Sequence, residues 1–166
     1  MSSTHTFTFT RTHTATFASD AMRNVLRDIV RALGLDPVRL INGWSLNGLA
    51  ARTWLQSGHL RVLILEFYKP GSSRVEGRID LPVSYGGSGI DDDMWVDRDH
   101  IRRSVAKIGK LPSSCLYDVV FQIAPGAPYV EGMGDVDLRD TSGLTSLSAG
   151  SVISTPDIVA GLRYWR

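Results

Sequence analysis

One cysteine, Cys115, is all that this 166-residue chain carries. It excludes an internal disulfide framework and a multi-cysteine zinc site, and it suits a reducing compartment. The four histidines, at 5, 13, 59 and 100, have no paired metal-ligand spacing. Neither sign of charge dominates: 18 basic and 17 acidic residues leave +1. A dedicated nucleic-acid or acidic-membrane binder would show a basic surplus. No apolar run approaches the ~20 residues of a membrane span, and the N-terminus lacks the pattern of a signal peptide. A cytoplasmic protein is the expectation. Gly86, Gly87, Ser88 and Gly89 lack the lysine and the following helix of a phosphate-binding loop. There is no nucleophile elbow. The motifs therefore assign no catalytic residue, no cofactor site and no metal site, and the chain reads as a non-enzyme.

What is present is 43% hydrophobic sequence, enough for one domain with one core. Residues 4–17, THTFTFTRTHTATF, place threonine at every even position, and this period of two predicts a strand. Ser19 or Asp20 is the expected cap of a first helix, whose stripe is Met22, Val25, Leu26, Ile29, Val30 and Leu33. Arg23, Arg27 and Arg31 form a solvated face. Gly34 and Pro37 end that helix. A second helix covers about residues 44–57, burying Leu46, Leu49, Ala50, Trp54 and Leu55, and Gly58 closes it. Residues 60–68, LRVLILEFY, are apolar on both faces apart from Arg61 and Glu66, as in a central strand. After a turn at 69–73, residues 74–85 alternate cleanly, and Pro82 predicts an edge position. Residues 86–94 read as a loop; the aspartates Asp91, Asp92 and Asp93 lack the spacing of a calcium loop and read as solvated. Asp97 is the expected cap of a third helix running to Lys110.

The chain is organised around residues 111–123, LPSSCLYDVVFQI, read as the last core strand. Cys115, Tyr117, Val119, Phe121 and Ile123 face one way. Leu116, Asp118, Val120 and Gln122 face the other. Pro125 and Gly126 break the strand. Residues 127–166 contain no lysine and no helical stripe, and short β-like pieces at 144–147 and 151–154 are joined by glycine, serine and threonine. This tail reads as detachable. Yet it ends in Leu162, Tyr164 and Trp165, an apolar anchor that a disordered tail does not need.

The order strand, two helices, hairpin, helix, strand and long tail resembles the HORMA domain, specifically the bacterial HORMA proteins of CBASS anti-phage operons. The strings that carry the likeness are THTFTFTRTHTATF leading into AMRNVLRDIV, ARTWLQSGHLRVLILEFYKP, LPSSCLYDVVFQIAPGAPYVEG and the terminal GLRYWR. The resemblance implies an α+β fold: a central, mostly antiparallel sheet backed by three helices, with a mobile C-terminal safety belt. The division would be a core at 1–126 and a belt at 127–166 of a single domain. It implies that a closure-motif peptide pairs with Cys115, Leu116, Tyr117, Asp118, Val119, Val120, Phe121, Gln122 and Ile123. The belt would move to the strand at 74–85, anchored by Leu162, Tyr164 and Trp165. It implies activation of a cGAS/DncV-like nucleotidyltransferase in anti-phage defence, and a second HORMA protein as a possible source of the closure motif. The implied opener is an AAA+ ATPase of the pachytene-checkpoint type gripping the segment 1–17.

A competing expectation from the residues is a small-molecule-binding domain or enzyme using Cys115, His100, Asp91, Asp92 and Asp93. A cysteine on the inward face of a strand is a packed thiol far more often than a nucleophile.

Overall fold

The computed structural model describes residues 3–86 and 94–166, with the side chains of the first helix from Arg11 onward. Three helices, α1 (Ser3–Ala32), α2 (Val38–Gln56) and α3 (Arg98–Ala106), accompany six strands. These are β1 (Leu60–Tyr68), β2 (Gly77–Tyr85), β3 (Trp95–Val96), β4 (Leu116–Ile123), β5 (Ser146–Ser154) and β6 (Ile158–Trp165). The sheet runs β3-β5-β6-β2-β1-β4, and every neighbouring pair is antiparallel. The expected α+β architecture with three helices is what is found. Among the described residues no helix is long and apolar enough to cross a membrane.

The largest departure from expectation is at the N-terminus. Residues 4–17 are not a strand; they belong to the 30-residue helix α1. The buried positions explain why. Thr14, Ala15, Ala18, Ser19, Ala21, Met22, Val25, Leu26, Ile29, Val30 and Leu33 recur at three and four along one face. The threonine alternation is superimposed on that helical stripe. Threonine also tolerates a helix by bonding back to the preceding turn. Thr14 Oγ1 donates to Arg11 O at 3.1 Å and Thr16 Oγ1 to Thr12 O at 3.0 Å. Ser19 and Asp20 therefore cap nothing: both lie inside α1, and Ser19 is fully buried, donating to Gly48 O at 3.5 Å.

The second helix starts at Val38, directly after Pro37, and Leu49 is 48% exposed rather than buried. Trp44, Trp54 and Leu55 turn inward against α1 and the sheet. Asp97 caps α3 as expected, its carboxylate accepting from His100 N at 3.1 Å, but the helix stops at Ala106, short of Lys110.

β1 is the central strand its sequence predicts, with β2 on one side and β4 on the other. β2 is not an edge: β6 pairs along its free side. Pro82 is accommodated because that ladder is interrupted there. Asp80 pairs with Arg163, and pairing resumes only at Val83 with Ala160. The tail is not forty residues of loop. Its β-like pieces merge into the single strand β5, with register shifts around Gly150, and β6 follows. Val152, Ile153, Ile158, Ala160, Leu162 and Tyr164 join the main core. Arg11 on α1 pairs with Asp157 in the β5–β6 turn, so the first helix grips the last hairpin. The C-terminal pair is part of the folded body in this arrangement.

Candidate functional site

β4 is where the sheet ends, and among the described residues it pairs with β1 alone. Tyr117 fixes it to the start of α2: its hydroxyl donates to Asp36 O at 2.7 Å and accepts from Leu40 N at 3.2 Å. Farther along, Phe121 meets Trp54 of α2 edge to face, with ring centroids 5.4 Å apart. The helix and the strand are thereby held side by side.

The chain that leaves β4 then doubles back outside it. Ala124 N donates to His59 O at 2.8 Å, and Trp54 Nε1 donates to Pro128 O at 2.8 Å. Val130 inserts into the core beside α2. At Gly132 the φ of +91° favours glycine, and a Cβ there would stand 3.1 Å from the tip of Leu46, which would have to shift slightly. The segment next crosses the edge of β4 and lands on the opposite face of the sheet at Arg139. Asp140 then bridges to Arg74 in parallel fashion, with Asp140 N donating to Ser73 O at 2.9 Å and Val75 N to Asp140 O at 3.0 Å. The β5–β6 hairpin follows and pairs with β2.

Residues 124–145 thus form a strap around an edge strand. Between strap, strand and helix is a cavity of about 450 Å³. Arg39, Leu40, Gly43 and Asn47 of α2 line it on one side, Tyr117, Asp118, Val119 and Val120 of β4 on another, and Val136 of the strap closes it. A second hollow of about 400 Å³ shares Arg39 and Tyr117 and extends to Cys115 and Leu116. Together they follow β4 from its entry to its middle.

Of the residues assigned to a peptide by resemblance, Cys115, Leu116, Tyr117, Asp118, Val119 and Val120 border these hollows. Phe121, Gln122 and Ile123 border neither; Phe121 is taken up by Trp54, and Gln122 and Ile123 are exposed. Leu162 and Tyr164 are buried against the core. Trp165 donates from Nε1 to Asp80 Oδ2 at 3.2 Å, and the Arg78 guanidinium lies 5.1 Å from its ring centre.

Arg39, Gly43, Asn47, Val136, Arg139 and Glu66 were not legible as site residues. One signal pointed to part of the set: Glu66 is a lone acid in a strand covered on both faces, and a buried carboxylate requires a cation or donors. Glu66 is fully buried, and Arg139 supplies both. Arg139 N donates to Glu66 Oε2 at 2.8 Å, and its guanidinium reaches Glu66 Oε1 and Asp118 Oδ2, each at 3.3 Å. The same guanidinium stacks 3.4 Å from the ring centre of Tyr68. Tyr68 donates its hydroxyl to Asp118 Oδ2 at 2.8 Å, and Arg39 donates to Asp118 Oδ1 at 3.1 Å. Burial and then the bond to Asp118 push the Tyr68 phenol up, with Arg139 pulling weakly the other way, so the proton stays where that bond needs it.

Two residues of the competing enzyme expectation, His100 and Cys115, do not converge. His100 contacts Ala149 O of β5, on one flank of the sheet, while Cys115 precedes β4 on the other. Burial, then the charge of Glu76, pushes the Cys115 thiol up, away from the thiolate that a nucleophile needs. Asp91, Asp92 and Asp93 lie outside the described residues, and among those described no group of three potential ligands could hold a metal.

With this geometry in place, comparison with known proteins gives a family. The model of bacterial HORMA domain 2 matches residues 1–166. The chain belongs to that family. The HORMA fold extends to distant solved structures. A chain of the mitotic checkpoint complex shares 12% identity and a TM-score of 0.72, over 91% of this chain and 97% of that one. HTP-2 of C. elegans bound to a HIM-3 closure motif shares 16% identity and a TM-score of 0.52, over 72% of this chain and 66% of that one. HTP-1 of C. elegans, likewise bound to a HIM-3 closure motif, gives 14% and 0.52, over 73% and 68%. At these identities the likeness concerns the fold alone. No curated protein matches the sequence.

Proposed function

We propose that this HORMA domain is a regulatory peptide clasp: an extended closure-motif peptide lies along β4 beneath the strap 124–145. The observation that carries the reading is the hollow of about 450 Å³ between β4, α2 and Val136. An edge strand offers a row of backbone donors and acceptors, and a peptide that adds to it gains specificity from alternate side-chain pockets. Leu40, Tyr117 and Val119 present apolar walls to such side chains; Arg39, Asn47 and Asp118 offer polar ones. Each backbone hydrogen bond nets only about 0.5–1.5 kcal/mol, so a handful gives modest affinity once ordering costs are met. The strap supplies what the bonds do not: it blocks sideways departure. Solved relatives of the same fold hold closure motifs, which favours the same use here.

The family resemblance supports a fuller role. In it, the closed clasp activates a cGAS/DncV-like nucleotidyltransferase in anti-phage defence, its guest is a closure-motif peptide or a segment of a second HORMA protein, and a pachytene-checkpoint-type AAA+ ATPase reopens it by pulling on the first turns of α1. The clasp has no catalysis of its own. Leu162, Tyr164 and Trp165 anchor the belt on β2.

Gly43 provides the test of the clasp. It is exposed on α2, lines the hollow, and has open space where a Cβ would go, with only Asn47 Nδ2 within 4 Å, at 3.8 Å. Gly43→Leu fills the hollow while improving helix propensity by about 0.8–1 kcal/mol. Peptides selected from a library by the wild-type protein are expected to be lost by the variant at unchanged or raised thermal stability. Undiminished retention by Gly43→Leu would exclude the hollow as the peptide's place.

A further inference from the structure

We propose that Arg139 is the positioning residue that keeps the strap shut, and that its pairing with Glu66 sets how long a captured peptide stays. The inference rests on the clasp reading for its peptide half and on geometry alone for its strap half. Glu66 is 0% exposed, and among the described residues both of its oxygens are bonded by Arg139 alone, through backbone and side chain. A buried carboxylate stripped of its partner is strongly destabilising, because an uncompensated charge stays behind in a medium of low polarity. Arg139 stands on the strap, not on the core strands. Lifting the strap therefore orphans Glu66, and this penalty holds the strap down.

Between Val130 and Arg139 the strap has little to hold it besides Met133, which packs half-buried against the core. Residues 131, 132 and 134–137 are exposed, and no side chain from 131 to 137 makes a hydrogen bond among the described residues. The firm points are Pro128 and Val130 against α2 at one end and, at the other, Arg139 and the backbone bridge of Asp140 to Ser73 and Val75. Releasing Arg139 frees the crossing without undoing the β2–β6 ladder. Arg139 is also tied to the hollow. Its partner Asp118 lines the hollow and takes Arg39, another lining residue, on its second oxygen. A guest that contacts Arg39 or Asp118 acts directly on the pairs that hold the strap.

The test uses the full chain and two readouts. Backbone hydrogen exchange is followed without peptide at the hydrogen-bonded strap amides of residues 133 and 139 and in β5 and β6, in wild type, Arg139→Gln, Glu66→Gln and the double variant. Release of a library-selected peptide is timed in parallel. Arg139→Gln is expected to accelerate exchange at the amides of residues 133 and 139 by at least about tenfold. β5 and β6 stay protected, and peptide release quickens in step. The double variant, which leaves no unpaired buried charge, is expected to be milder than Arg139→Gln alone. Unchanged exchange at residues 133 and 139 overturns the proposal. So does an equal acceleration throughout the chain, which marks a merely structural role. If the strap loosens as expected but wild type retains no peptide from any library, the latch stands and the clasp reading falls.

Discussion

At Gly48 a single methyl group decides how closely Trp44 can lie on its own helix. A Cβ there would stand 2.7 Å from Trp44 Nε1 and 2.9 Å from its Cδ1, inside any real carbon contact. Trp44 is only 6% exposed and its ring is wedged in the core, so it cannot yield cheaply. Alanine at 48 gains about 0.8–1 kcal/mol of helix propensity but forces an overpacked core, typically costing about 1–3 kcal/mol. Gly48→Ala is expected to destabilise the domain by up to about 2 kcal/mol in urea unfolding, on the difference of those two effects. The sequence reading registered Gly48 only as a weak spot in a helix, because which side chain leans on a glycine is a tertiary fact. Glu66 was more legible: an acid amid LRVLILEFY stands out in the string itself. Its partner was not, since Arg139 is 73 residues away and one of three arginines in the tail.

At the scale of elements, apolar periodicity carried most of the reading. The stripe from Met22 to Leu33, the two-sided β1 and the Asp97 cap are all visible as patterns. Residues 4–17 misled because two periods coexist there and the more regular one is chemically idle. The hydroxyls of Thr14 and Thr16 bond back along the helix, while the alanines at 15, 18 and 21 supply the packing. The two readings make opposite predictions at Thr16, which is exposed. In a strand, threonine outranks alanine. In a helix, alanine outranks threonine by up to about 0.7 kcal/mol. Thr16→Ala is expected to stabilise by a few tenths of a kcal/mol, the lost bond to Thr12 O being solvent-exposed, and chemical denaturation reads the sign. Pro82 is a comparable case. Its missing donor truly forbids one side of the ladder, but the local answer is a gap opposite Gly161 and Leu162 rather than a free edge.

The whole molecule is a sheet with a covered flank and a strapped one. β6 occupies the outer side of β2, β4 keeps a free side at its end of the sheet, and the strap that crosses β4 is continuous with the hairpin on the far side. Which flank the C-terminal pair chooses was not readable from the chain, because either flank satisfies the same alternation of apolar residues.

This continuity has a kinetic consequence for the proposed clasp. A short free peptide could slip out lengthwise beneath the strap. A guest segment placed between two folded domains cannot, because neither domain passes through an opening this size. For such a guest every entry and exit requires the strap to lift. Weakening its contacts with β4 then speeds release only until strap opening becomes limiting. A series of progressively poorer guest sequences, each flanked by folded domains, is expected to show dissociation rates that rise to a common ceiling. That ceiling should equal the opening rate of the strap read from the bonded amides of residues 133 and 139, by hydrogen exchange under conditions where each opening leads to exchange. Arg139→Gln should raise both rates by the same factor. Rates that climb without limit as the guest is weakened would mean that the guest never lay beneath the strap.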